Sequence, residues 1–184
     1  MFGLRDSLDS VATLRVGRND QPPVIDINGE PIDPIWAAEF RGFFWGEGTL
    51  AVQRVSNKNN KTRDKWYSFS IQATIGLRFD DAPLLCEFQR RLGGRIRVEQ
   101  PRKEGLNPIV RWAIGKAKDC HRVGQLLSNG ILPANKAKQL NLWIEALNLK
   151  LASGASSASR YTQEAKYAIV EAERILKEMR QVCK

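Results

Sequence analysis

The chain is organised around one stretch, which reads Asp33-Pro34-Ile35-Trp36-Ala37-Ala38-Glu39-Phe40-Arg41-Gly42-Phe43-Phe44-Trp45-Gly46-Glu47-Gly48. Asp33 and Pro34 predict the start of a helix, because aspartate caps free backbone N–H groups and the fixed φ of proline suits the first helical residue. Gly42 and Gly46 lie one turn apart on one helix face, where each costs about 1 kcal/mol of helix stability relative to alanine. This glycine face, defined by Gly42 and Gly46, is typical of a close approach between two helices.

An acidic residue ends the same helix. Glu47 follows Gly46 directly, and a carboxylate at the negative end of a helix dipole is unfavourable by up to about 1 kcal/mol unless a cation lies beside it. Its position therefore indicates a metal ion. Gly48 is expected to end the helix in a left-handed turn. The alternative is that the glycines only pack an internal helix pair and that Glu47 begins a strand.

The composition is that of a basic protein whose size is typical of one domain. The chain has 184 residues and a formal net charge of +9, which favours a polyanionic partner such as nucleic acid. Its 3 cysteines show no CxxC or Cys/His pattern, so neither a disulfide framework nor a zinc site is predicted. We expect an intracellular protein of a bacterial cytoplasm or of an organelle, with no membrane span.

Composition divides the chain into four parts. Residues 1–32 carry Pro and Gly turn signals and are interpreted as an N-terminal extension, with a short helix around residues 4–14. Residues 33–152 form the main domain, and residues 153–160 are a flexible linker rich in Ala, Ser and Gly. Apolar residues recur at helical spacing in residues 161–184, which predicts a C-terminal helix that packs on the domain.

Two pairs of strands are predicted inside the main domain. Apolar and polar residues alternate in residues 49–57 and 66–75, and again in residues 95–100 and 107–115. Helices are expected at residues 80–92, from residue 118 or 119 to 127, and from residue 133 or 135 to 148. This order predicts an α+β fold with an antiparallel sheet covered by helices.

The polar parity of these strands is the candidate nucleic-acid surface. Because side chains alternate across a strand, the apolar parity faces the core and the other parity forms rows of hydrogen-bonding side chains. Such side chains can read base edges in a major groove. A plain solvated sheet face is the alternative. The candidates for groove contacts are Gln53, Asn57, Ser68, Ser70, Gln72, Thr74, Arg95, Arg97 and Arg111.

The glycine stretch resembles the signature of the LAGLIDADG homing endonucleases. The motif positions are occupied by residues 40–48, which match both glycines of the helix face, the metal-binding acid and the closing glycine. The chain departs from the motif at Phe40-Arg41, which stands in place of Leu-Ala, and at Trp45, which stands in place of the first Asp. The resemblance extends over residues 33–152 and implies the family's αββαββα fold, with a saddle-shaped antiparallel sheet and helices on one face.

The resemblance implies a homodimer, because the chain has one such motif and the family's chemistry uses two such helices side by side. Gly42, Gly46 and Phe43 then lie at the dimer interface, and each copy contributes Glu47, with Gly46 beside it, to the metal sites. Mg²⁺ is the implied cofactor, and Ca²⁺ is expected to support DNA binding without cleavage. A two-fold dimer should recognise a long target that is palindromic or nearly so.

A second stretch, residues 135–142, is similar to the family's segment that bears an active-site lysine. Lys136 is the match, with Lys138 as the alternative and as a further DNA-binding candidate. The family often has Gln and then a basic residue at the end of the second strand, where this chain has Leu77 and Arg78. Arg78 can supply positive charge to the catalytic site, whereas Leu77 cannot orient water.

The sequence is compatible with two functions. The first is an intron-encoded homing endonuclease that hydrolyses double-stranded DNA, with Glu47, Lys136 and Arg78 as its catalytic residues. The second is an RNA-splicing maturase, with intron RNA as its partner, or a non-cleaving DNA-binding regulator of the same fold. Glu47 favours the first function, and Leu77 favours the second. A structural or ribosome-associated protein would not explain a capped glycine helix that ends in an acid.

Overall fold

The structure is a computed structural model, and it describes residues 23–56, 67–101, 105–152 and 162–182. The predicted α+β fold is confirmed, because a helix, a strand pair, a helix, a second strand pair and further helices follow one another. In chain order the elements are α1 (Pro34–Glu47), β1 (Gly48–Ser56), β2 (Tyr67–Arg78), a 3₁₀ turn (Phe79–Asp81), α2 (Ala82–Leu92), β3 (Arg95–Glu99), β4 (Ile109–Ile114), α3 (Ala117–Ser128), α4 (Ala134–Ala152) and α5 (Gln163–Val182).

The sheet has 4 strands in the order β1-β2-β4-β3, and every neighbouring pair is antiparallel. The two hairpins therefore lie side by side and meet where β2 pairs with β4. Side chains of one parity are buried under the helices, including Val52, Ile71 and Trp112. The other parity is more exposed and carries most of the polar side chains. We call this second side of the sheet the open face.

Helix α1 begins as its sequence predicts. Asp33 Oδ1 accepts hydrogen bonds from the backbone N–H groups of Ile35 at 2.9 Å and of Trp36 at 3.0 Å. Pro34 is the first helical residue and has no N–H group that needs a partner. The start of the helix is therefore determined by residues next to each other in the chain.

The apolar side of α1 is held by aromatic contacts in the core. Phe40 and Phe44 are buried, and Phe40 meets Phe88 of α2 edge-on with 5.1 Å between ring centroids. The Phe40 ring also lies 6.2 Å from the ring of Trp112 in β4. Burying a phenylalanine side chain stabilises a fold by about 1.5–3 kcal/mol. These contacts hold α1 in one rotation about its axis.

The expectation of a left-handed turn at Gly48 is wrong. Gly48 has φ −90° and ψ 158°, and it is already the first residue of β1. The chain passes from helix to strand without a turn, so no positive φ is needed. Glycine is required for another reason, since a Cβ atom here would lie 2.5 Å from the carbonyl oxygen of Phe44 and 2.8 Å from its ring.

We expect Gly48→Ala to lower the free energy of unfolding by about 1–3 kcal/mol, because the added methyl group forces apart a packed helix end. Urea denaturation of the wild type and the variant measures this loss. Gly115→Ala is the matched control, because its Cβ atom would meet Ile71 O at an ordinary 3.7 Å. Equal stability of the two variants would contradict the close approach at Gly48.

Part of the segment before α1 packs on the domain. Val24 and Ile32 are buried, and the carbonyl oxygen of Ile25 accepts a hydrogen bond from Arg122 Nε of α3 at 2.7 Å. The helix expected at residues 4–14 lies outside the described residues. No helix in the described segments is long and apolar enough to cross a membrane.

Helix α5 packs against α4 and the sheet. Its buried residues are Ala168, Ala172, Ile175 and Met179, which follow the helical spacing seen in the sequence. Arg174 of α5 also forms an ion pair with Glu145 of α4. The predicted linker at residues 153–160 lies outside the described residues.

Candidate nucleic-acid interface and catalytic site

The glycine face of α1 is exposed in the structure. Gly42 and Gly46 are exposed, and a Cβ atom added at either position would meet none of the described atoms within 4 Å. Ile35, Ala38 and Glu39 extend the same exposed side, and the side chain of Ile35 is 72% exposed. The alternative in which these glycines pack an internal helix pair is therefore wrong for the described part of the chain.

Phe43, the third residue predicted at the dimer interface, is placed differently from the two glycines. It is half-buried, and its ring lies 5.7 Å from that of Phe88 in α2. Its position on the helix explains this difference, because residue 43 is a third of a turn away from residue 42. Phe43 therefore borders the exposed side of α1 and packs mainly against its own chain.

Glu47 is the last residue of α1 and is exposed. Its carboxylate makes no hydrogen bond or ion pair with any other residue that the structure describes. The alternative in which Glu47 begins a strand is wrong, since β1 starts at Gly48. An exposed, unpaired acid at the negative end of a helix is a position where a cation is favourable.

The structure brings Lys136 to this end of α1. Lys136 lies in the first turn of α4 and is half-buried, with its Nζ 5.6 Å from the centre of the Trp45 ring. Trp45 precedes Glu47 by two residues, so this contact puts Lys136 at the end of α1 that bears the acid. Lys138 is exposed, and it has no aromatic contact among the described residues. Lys136 is thus the lysine that packs beside the acidic end of the glycine helix.

The end of β2 places Leu77 and Arg78 on opposite faces. Leu77 packs against the core, whereas Arg78 is exposed and pairs with Ile109 on the open face. Leu77 therefore points to the wrong side of the sheet for a contact with a ligand on the open face. The open-face position before Arg78 is Gly76, which has no side chain to orient water.

The predicted groove-contact residues share the open face wherever the structure describes their side chains. The strand register aligns Gln53 with Ser70, and it aligns Gly76 with Arg111 and Arg97. The described candidates on this face are Gln53, Ser70, Gln72, Thr74, Arg95, Arg97 and Arg111. The backbone of Ser68 pairs with Val55, and Asn57 lies outside the described residues.

An ion pair on the open face was not predicted from the sequence. Arg111 donates from Nε to Glu99 Oε1 at 2.8 Å and from Nη2 to Glu99 Oε2 at 3.1 Å. This pairing with Glu99 raises the pKa of Arg111. Arg95 and Arg97 on the edge strand are exposed and have no ion-pair partner among the described residues. Because Glu99 offsets the charge of Arg111, Arg95 and Arg97 give this end of the open face its net positive charge.

A metal site cannot be completed by one chain within the described residues. No group of three or more His, Cys, Asp or Glu side chains in those segments could hold a metal ion. Glu47 alone offers a free carboxylate at the end of the glycine face. Its chemistry fits a divalent cation, for which the described residues supply no further acidic, histidine or cysteine ligand beside it.

Comparisons with known proteins support the fold. No family model matches the sequence, and no curated protein matches it. Solved structures do match, among them the homing endonuclease I-TnaI, with a TM-score of 0.60 and 17% identity over 82% of this chain and 93% of that one. I-CeuI, a group I intron-encoded homing endonuclease complexed with DNA, has a TM-score of 0.59 and 15% identity over 83% and 69%.

A longer protein also shares the fold. The LAGLIDADG homing endonuclease I-GzeII, in complex with its DNA target, has a TM-score of 0.56 and 16% identity over 80% of this chain. The present chain spans 45% of the length of that protein. The architecture, the strand order and these similarities agree with the resemblance seen in residues 40–48. The chain therefore has the fold of the LAGLIDADG homing endonucleases.

Proposed function

We propose that this protein is a homodimeric, Mg²⁺-dependent endonuclease that cuts double-stranded DNA at a long, nearly palindromic site. The observation that carries this proposal is Glu47, an exposed acid with no partner among the described residues, at the end of an exposed glycine face. A helix face without side chains fits a partner helix, and an acid at its end fits a metal ion. The polar open face of the adjoining sheet fits the major groove.

The size of the chain supports a dimer. It spans 93% of I-TnaI but 45% of the DNA-bound protein I-GzeII, so two copies of this chain have about the size of the longer protein. Two α1 helices that touch through Gly42 and Gly46 bring the two Glu47 carboxylates together. A two-fold dimer presents two identical open faces, so the target should have two related halves.

The length of the strands predicts the length of each half-site. Strand β1 has 9 residues, which span about 30 Å at a rise of about 3.3 Å per residue. This length corresponds to about nine base pairs at 3.4 Å per step. Side chains of the open face, such as Gln53, Gln72 and Arg97, would contact base edges and phosphates along that distance.

Hydrolysis adds water across a phosphodiester: the water oxygen bonds to phosphorus, and the sugar oxygen leaves with a proton. Mg²⁺ bound by Glu47 and its copy would polarise the phosphate and acidify a bound water. Lys136 supplies a positive charge beside the same helix end, where it can neutralise charge that builds up on the phosphate. Arg78 is exposed at the end of β2 and adds positive charge near the DNA backbone.

Selection of a target from random DNA tests this function. Duplexes that bind the wild-type protein in Ca²⁺ are enriched from a random pool, and the selected duplex is then incubated with Mg²⁺. We expect cleavage of both strands in Mg²⁺ and binding without cleavage in Ca²⁺. Failure to enrich any duplex would contradict the DNA-binding function, and enrichment without cleavage would contradict the nuclease.

A non-cleaving DNA-binding protein or an RNA-splicing maturase is the second candidate. It is favoured by the end of β2, where Leu77 packs in the core and Gly76 leaves the open face without a polar side chain. The same selection separates the candidates, because a regulator enriches duplex DNA without cutting it. A maturase would instead bind intron RNA more tightly than any selected duplex.

Replacing Arg97 with alanine is expected to weaken binding of the selected duplex by about tenfold. Arg97 is exposed on the open face, and an arginine contact to a base or phosphate contributes about 1–3 kcal/mol and up to about one unit of salt slope. Titrations at several salt concentrations measure both quantities. Lys177→Ala on the exposed side of α5 is the control. If Arg97→Ala and Lys177→Ala bound the duplex equally well, DNA would not contact the open face at Arg97.

A further inference from the structure

Trp45 lies near the end of α1, and the proposed function gives its side chain no role. Its ring is half-buried and lies edge-on to that of Phe44, with 5.8 Å between centroids and 89° between planes. Because Phe44 is completely buried, this contact restrains the indole. The indole Nε1 is buried and donates no hydrogen bond to any described residue. The polar atom therefore does not account for tryptophan at this position, whereas the face of the ring does make a contact.

The face of the Trp45 ring meets Lys136. The Nζ atom of Lys136 lies 5.6 Å from the ring centroid, which is within the range of a cation–π interaction. Lys136 lies in the first turn of α4, where the helix dipole disfavours a positive charge. Because the four-carbon chain of lysine is flexible, the ammonium group would turn toward solvent unless an attractive contact held it at this position. The indole supplies that contact.

We propose that Trp45 is a positioning residue that holds the Lys136 ammonium beside the Glu47 end of α1. This inference rests on the proposed nuclease function, in which Lys136 acts on the scissile phosphate. Trp45 itself does not touch the reacting atoms. Without the indole the ammonium spreads over more rotamers, and a smaller fraction of bound complexes has the charge in place when the phosphodiester is hydrolysed.

The test is a double-mutant cycle on the duplex selected by the wild-type protein. Single-turnover cleavage in Mg²⁺ is measured with protein in excess, and the Kd for DNA is measured in Ca²⁺. We expect Trp45→Leu to slow cleavage by about tenfold without changing the Kd more than about twofold. Trp45→Phe, which retains an aromatic face, should recover most of the rate. In a Lys136→Ala background, Trp45→Leu should cause no further loss.

Trp36→Leu is the matched control. Trp36 is also half-buried on α1, and its ring also lies under a cation, the Arg91 guanidinium at 5.0 Å. It is at the opposite end of the helix from Glu47. A general loss of packing should therefore affect Trp36→Leu and Trp45→Leu alike, whereas a loss of lysine positioning should slow cleavage only in Trp45→Leu.

Several outcomes would overturn the inference. They are cleavage by Trp45→Leu at the wild-type rate, independent effects of Trp45→Leu and Lys136→Ala, and an equal slowing by Trp36→Leu. If Trp45→Leu does not fold, the cycle of Trp45→Met, which also removes the aromatic face, with Lys136→Ala decides, and additive effects there reject the inference. These outcomes leave the nuclease function intact. Wild-type protein that binds DNA without cutting it would reject the proposed function and this inference together.

Discussion

Replacing Glu47 with glutamine is expected to slow Mg²⁺-dependent cleavage by about a thousandfold while DNA binding is retained. Glutamine has nearly the same shape as glutamate but has no negative charge for a metal ion. A factor of this size corresponds to about 4 kcal/mol of transition-state stabilisation, which is typical of a lost metal-ion contribution. In the proposed dimer both copies lose their acid at once, so cleavage of both strands should slow.

The surroundings of Glu47 make this variant a clean test. Its carboxylate is exposed and has no hydrogen bond or ion pair with another described residue. The free energy of unfolding of Glu47→Gln should therefore stay within about 0.5 kcal/mol of the wild-type value. Cleavage in Mg²⁺, affinity in Ca²⁺ and urea denaturation measure the three quantities. Glu164→Gln, at an exposed acid of α5, is the control and should cut normally. Glu47→Gln that cuts as fast as this control would reject Glu47 as a metal ligand.

Gly42→Leu is expected to have the second largest effect on cleavage. It should leave the single chain at least as stable as the wild type but prevent dimerisation. A Cβ atom added at residue 42 would meet no described atom of its own chain within 4 Å, and leucine is a better helix former than glycine by about 0.5–1 kcal/mol. The isolated chain should therefore be as stable as the wild type or slightly more stable. Two copies cannot approach through this face, so dimerisation and cleavage should both be lost.

Sedimentation and single-turnover cleavage test this prediction, with urea denaturation as the measure of monomer stability. We expect a folded monomer that cuts DNA at least about a hundredfold more slowly, because each chain alone has one acid at the catalytic site. Asn141→Leu, at an exposed position of α4, is the control for an added surface leucine. A dimer of Gly42→Leu with normal activity would show that the glycine face is not the interface.

Much of the fold follows from interactions between residues that are close in the chain. The Asp33 cap, the proline after it and the period-two alternation of the strands depend on local backbone geometry, and all three are present in the structure. The parity of the strands also places Gln53, Gln72 and Arg97 on one face, since a strand can only alternate. The sequence therefore predicts the open face and the acid at the end of the helix, while the exposure of that acid comes from the structure.

The turn at Gly48 shows where local reasoning fails. A glycine after a helix usually indicates a positive φ, yet here φ is −90° and the glycine avoids a clash with Phe44. Both explanations require glycine, so the sequence cannot distinguish them. The outcome depends on how closely β1 follows α1, which is a property of the packed helix and sheet.

Contacts between distant parts of the chain were decided only in the folded molecule. The sequence resemblance favours Lys136 over Lys138 but shows no partner for either, and α4 docks so that Lys136 meets Trp45 and Lys138 faces solvent. In the same way, Glu99 pairs with Arg111 because β3 and β4 are neighbours. Local propensity acts over a few residues and determines the elements and their exposed parities, whereas side-chain partners across the fold depend on how those elements pack.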